Sequence, residues 1–204
     1  YFTMENDFSG YGYGNLHTAV SVLTSHELFH GVQSAYAQSE EVWFSEGTAT
    51  WAEHLYDPLN SDFIGLCGAY VEDPGRPFYE PPSGPVPAFA YGTALWFYFL
   101  DEKYGSSFLV DLLHVYEVTP DADGLIAGFD SLVRAYDGTL ADDFTTFSLL
   151  NLATGDRAGA MTGEYSFASR LPEAPTEADG DSIVAEDRFY PLSTTYYRLD
   201  YEGE

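Results

Sequence analysis

Cations are scarce in this chain: seven Lys and Arg, of which Lys103 is the only lysine, stand against thirty-three Asp and Glu, for a formal charge of −26. A balance of that sign repels phosphate backbones and anionic headgroups alike, which excludes nucleic acid and the membrane surface as first partners. Cysteine is nearly absent too. Cys67 stands alone, so no intrachain disulfide or thiolate cluster can form, and any metal must sit on His and carboxylate. Within the apolar stretch Ile64 to Val71, Cys67 reads as a small buried hydrophobe. No apolar run reaches the ~18 residues a bilayer span needs, so no membrane insertion is expected. The chain opens at Tyr1 with no basic and apolar leader, which reads as a leader already removed or as a piece of a longer chain. An acidic, lysine-poor surface suits the cell exterior, and a secreted protein is expected, with a salt-loving host as the rival explanation.

What is present is apolar and aromatic material, 45% and 17% of 204 residues, enough for one core. Residues 1–8 are aromatic and β-prone and predict a short strand, followed by a glycine-bearing loop. Helical spacing then predicts helices over about 16–38 with Asn15 as N-cap, 42–56, 62–71, 91–104, 106–117, 125–136 and 139–154, the last opened by a capping-box-like Thr139 and Asp142. Six prolines between Pro74 and Pro87 predict a long surface loop, placed to flank a cleft. The polar stretch 156–187 reads as a linker or irregular extension, and 188–204 as a β strand segment that could open a further module. The fold class is mainly α, with residues 1–155 as the working domain.

The chemistry lies in His26-Glu27-Leu28-Phe29-His30. On a helix, positions i and i+4 share a face, so two imidazoles can grip one ion while Glu27 sits beside them to hold a water, a geometry that suits zinc. A hydrolytic zinc needs a third protein ligand. Glu46, sixteen residues after His30, can supply it if the chain turns near 38–41 and returns as a helix; Glu40 and Glu41 are the next carboxylates in line. Glu53 shares a helical face with Glu46 and can accept a hydrogen bond from a ligand imidazole, which fixes its tautomer. His17, His54 and His114 have no ligand spacing and read as surface or core residues.

Residues 26–53, from His-Glu-Leu-Phe-His through Trp-Phe-Ser-Glu-Gly-Thr-Ala-Thr-Trp-Ala-Glu, resemble the metal-binding core of the gluzincin peptidases. The second half is similar to the Trp-Leu-Asn-Glu-Gly-Phe-Ala-x-x-x-Glu stretch of aminopeptidase N-like enzymes. The likeness is closer to a little-characterised family of secreted bacterial proteins assigned as metallopeptidases, and runs on through Tyr91-Gly92-Thr93-Ala94-Leu95-Trp96-Phe97 and Lys103-Tyr104-Gly105. The resemblance implies a zincin-like catalytic core with a short N-terminal strand and a helical C-terminal lobe. It also implies one Zn²⁺ on His26, His30 and Glu46, with Glu27 as general base. Tyr91 is the implied donor to the oxyanion. Met4-Glu5-Asn6 echoes the strand with which aminopeptidase N-like enzymes bind a substrate's free amine, making Glu5 a substrate-binding candidate, although position 2 is Phe where that pattern has Gly.

The expected function is zinc-dependent hydrolysis of a peptide or protein substrate. Endopeptidase and aminopeptidase action both stay open, as does a noncatalytic zinc-stabilised binding module of a larger secreted or surface protein. Calcium is a second candidate ion, because Asp121-Ala122-Asp123-Gly124 and Asp179-Gly180-Asp181 hold part of a calcium loop's ligand set but lack its bidentate Glu.

Overall fold

Helical spacing resolves into eight α-helices in the computed structural model, which describes residues 13–37, 41–58, 61–79, 85–119, 121–176 and 190–198. They are α1 (Leu16–Tyr36), α2 (Val42–Tyr56), α3 (Ser61–Val71), α4 (Ala88–Gly92), α5 (Ala94–Tyr104), α6 (Ser106–Val118), α7 (Ala122–Ala135) and α8 (Leu140–Leu152). Two 3₁₀ turns follow, Gly155–Arg157 and Ala168–Arg170. The described protein is mainly helical, with no strand among those residues. No described helix is long and apolar enough to cross a membrane. The expected strand over residues 1–8, Glu5 included, lies outside the described residues.

Local chemistry sets the helix starts. The Asn15 side chain accepts from Thr18 N at 2.9 Å and opens α1. Asp121 accepts from Gly124 N at 2.7 Å and so begins α7 three residues ahead of the expected Leu125. Thr139 accepts from Asp142 N at 3.1 Å and donates to its carboxylate at 2.7 Å, a one-sided cap in place of the reciprocal box. Caps of this kind contribute about 1 kcal/mol each. The single helix expected over 91–104 is two, because the chain breaks at Thr93, whose buried hydroxyl lies 2.7 Å from both Trp43 O and Ala90 O.

α2 is the central element. From Trp43 to Glu53 every residue is buried except Glu46, which is half-buried. α1, α3, α4 and α5 all pack against it. Its aromatic side chains make the deepest contacts: Trp43 stacks on Phe97 at 6.0 Å, and Phe44 meets Tyr116 at 4.4 Å. Such pairs add roughly 0.5–1.5 kcal/mol each beyond their buried area. Gly47 allows the α4–α5 junction to press against α2, since a Cβ there would stand 2.2 Å from Thr93 Oγ1 and 2.7 Å from the Phe97 ring. Helix α4, which ends at this junction, carries Tyr91, whose ring lies 5.9 Å from that of His26.

Three segments differ from their sequence reading. The proline-rich loop does not stay on the surface throughout: Phe78 is 2% exposed and packs against Trp43, Tyr70 and Trp96. The described part of the supposed linker, 156–176, is irregular but anchored. Tyr165, Phe167, Ala168, Leu171 and Ala174 join the core, and Thr154 Oγ1 donates to Pro172 O at 2.7 Å. The described part of the terminal segment, 190–198, contains no strand and lies on the helical body. There Tyr196 is buried and its hydroxyl donates to Ser148 O at 2.6 Å, while Thr194 N donates to Pro74 O at 2.7 Å.

Candidate metal centre

α1 and α2 pack antiparallel, so residues late in α1 face residues early in α2. Three side chains of the pair thereby converge, two from α1 four residues apart and one from α2. His26 Nε2 and His30 Nε2 are 3.0 Å apart. Glu46 Oε2 lies 3.1 Å from the first and 3.5 Å from the second. Among the described His, Cys, Asp and Glu residues, this is the one group of three placed to hold a metal.

The donor set fits a divalent ion. With metal–ligand bonds of about 2.0–2.2 Å, the ligand atoms of a tetrahedral zinc stand about 3.3–3.6 Å apart, close to the 3.0–3.5 Å of this triangle. Two imidazoles and one carboxylate also leave a fourth position open, as hydrolytic zinc sites do.

The groups behind the ligands orient them. His26 is 7% exposed, and its Nδ1 lies 2.7 Å from Oε1 of Glu53, itself 3% exposed. A carboxylate only accepts, so His26 Nδ1 carries a proton towards Glu53, and Nε2 is the ring atom left to bind an ion once its own proton has gone. His30 Nδ1 in turn lies 2.7 Å from Gln33 Oε1. Gln33 is a residue that sequence reading passed over; the available signal was its place on the ligand face, three residues after His30 and seven after His26.

Burial alone disfavours the His26 imidazolium, but hydrogen bonds to Glu46 and Glu53 outweigh it and raise the pKa to about 9. His30 is also raised, with burial opposed by Glu46 and Gln33. Glu46 moves the other way: burial would raise it, yet the two histidines bring it down to about 2. Without an ion the centre therefore holds a proton at neutral pH. The raised His26 stabilises the metal-free fold below about 6.5, a contribution lost as pH rises through about 9. The lowered Glu46 contributes above about 4.5, and that is lost as pH falls through about 2. An entering cation must displace the proton. Titration of zinc into metal-free protein in weak buffer at pH 7 is expected to release about one proton per ion, with affinity rising as pH approaches 9. Binding with no proton release and no pH dependence would place the ion elsewhere.

The remaining candidates take the following places. Glu27 is half-buried on α1 between the two ligand histidines. The Tyr91 ring in α4 lies 5.9 Å from the His26 ring, between centroids. Glu41 is the N-cap residue of α2 and stands outside the metal-competent group, whereas Glu40 lies outside the described residues. His17 is exposed, His54 stacks on Phe63 at 4.3 Å, and His114 packs edge-on to Tyr36 at 5.2 Å. Cys67 is fully buried, which pushes its thiol pKa well up. Of the two calcium candidates, Asp121 spends its carboxylate on the α7 cap, and Asp179–Asp181 lies outside the described residues. Lys103 and Tyr104 both bond the fully buried Asp143 carboxylate, which ties α5 to α8. Compared with family models, with curated proteins and with solved structures, the chain finds no match.

Proposed function

We propose that the chain is a zinc-dependent peptidase of gluzincin type. The observation that supports this is the convergence of His26 Nε2, His30 Nε2 and Glu46 Oε2 within 3.0–3.5 Å of one another, on a helix that carries Glu27 between the two histidines. A divalent ion held there supplies Lewis acidity towards a carbonyl and towards water. Glu27 accepts the proton of the attacking water at its carboxylate and delivers it to the leaving amine. Glu53 keeps the His26 proton on Nδ1 throughout, so that the ring presents only its Nε2 lone pair to the centre. Tyr91, beside the His26 ring, donates to the oxyanion that develops on the scissile carbonyl. The charge of −26 favours cationic or neutral peptides over acidic ones.

The test is digestion of a denatured protein and of a peptide library by the purified chain, with and without a chelator. Chelator-sensitive internal cleavage supports an endopeptidase. Loss of single N-terminal residues supports an aminopeptidase and turns attention to Glu5. Bound zinc with no cleavage of any substrate overturns the peptidase reading and favours a noncatalytic module.

A further inference from the structure

Gln33 lies one turn beyond His30, is 4% exposed, and uses every hydrogen-bonding group of its amide between the two ligand-bearing helices. Its orientation follows from its neighbours. One side of the amide faces Ser45 O at 2.8 Å, and a carbonyl can only accept. It also faces Thr48 Oγ1 at 2.6 Å, and that hydroxyl has already donated its proton to Phe44 O at 2.7 Å. Both neighbours are acceptors, so the NH₂ of Gln33 points to α2 and its carbonyl oxygen to His30 Nδ1. Ser45 Oγ, at 3.4 Å from both His30 Nδ1 and Gln33 Oε1, is too distant to compete for either.

We infer that Gln33 is a positioning residue of the metal centre: one buried amide that keeps the His30 proton on Nδ1 and ties that ligand to the backbone of α2 one residue before Glu46. The inference rests on the metal-centre reading above. Its partner across the centre is Glu53, which does the same for His26 with a carboxylate. The difference in charge matters. Glu27, Glu46 and Glu53 already supply carboxylates around the centre, and a neutral amide behind His30 adds no further negative charge, which leaves the ion a stronger Lewis acid than another carboxylate would.

Two readouts other than hydrolysis test this. The first is zinc affinity by chelator competition, measured beside the melting temperature of the metal-free protein. Gln33→Leu is expected to weaken zinc binding by about 10- to 100-fold, as loss of a ligand's hydrogen-bonded partner does. Gln33→Glu keeps an acceptor for His30 Nδ1 and is expected to bind zinc more tightly than Gln33→Leu, although it loses the donors to Ser45 O. A lowered melting temperature with unchanged zinc affinity in Gln33→Leu assigns a structural role only and overturns the inference. The second readout needs no variant: ¹H–¹⁵N correlation of the His30 ring in the wild-type chain. A proton on Nδ1 is expected, with or without zinc; a bare Nδ1 and a protonated Nε2 overturn the inference even if Gln33→Leu fails to fold. Should the wild-type chain bind no zinc, the metallopeptidase reading fails, while the ring spectrum still decides the role of Gln33 as the partner of His30.

Discussion

Glu27→Gln is expected to keep the fold and the metal while losing hydrolysis by about 10²- to 10⁴-fold, the range for removal of a positioned general base. The amide has the shape of the carboxylate but cannot take a proton from water at neutral pH. None of the three convergent ligand atoms belongs to Glu27, so metal content should not change. Because the side chain is half-buried on an intact helix, stability should change little as well. Elemental analysis and thermal melting of the variant establish that the centre is intact, after which the cleavage rate isolates the proton transfer. Wild-type turnover on any cleaved peptide would remove Glu27 from the mechanism.

The second large effect separates two glutamates on one helix. Glu46→Ala leaves only two imidazoles, and metal affinity should fall by far more than the ~10- to 100-fold typical when a group behind a ligand is lost. Glu53→Ala should show that smaller loss. Its carboxylate lies 2.7 Å from His26 Nδ1, and removing it leaves a buried N–H unpaired at a cost of roughly 1–3 kcal/mol. Competition with a chelator ranks the two directly. If Glu53→Ala strips the metal while Glu46→Ala retains it, the ligand set is wrong, and α2 would have to meet α1 in another rotation.

Much of this arrangement was legible in the sequence because it depends on period. His26 and His30 share a face at i and i+4, and Glu46 and Glu53 share one seven residues apart, so two regular helices packed antiparallel suffice to bring all four together. Asn15 and Thr139 were readable as caps for the same local reason. Gln33 was not. Its spacing put it on the ligand face, but its role exists only once α2 supplies Ser45 O and Thr48 Oγ1 across the interface, and spacing alone does not separate a bridging amide from a solvated one. The irregular anchors were missed on similar grounds: Phe78, Tyr165 and Phe167 enter the core from stretches rich in proline, glycine and polar residues, with no repeat to mark them as buried. The break at Thr93 is likewise tertiary, since it follows from hydroxyl bonds to two carbonyls and from the contact that Gly47 permits.

The most direct measurement is the metal content of the purified chain beside that of a variant with both His26 and His30 replaced by Ala. Close to one zinc per wild-type chain is expected and almost none in the double variant, since a single carboxylate cannot retain the ion. Equal zinc in the two proteins, or none in the wild-type chain after incubation with zinc and removal of the excess, would contradict a centre built on these two histidines.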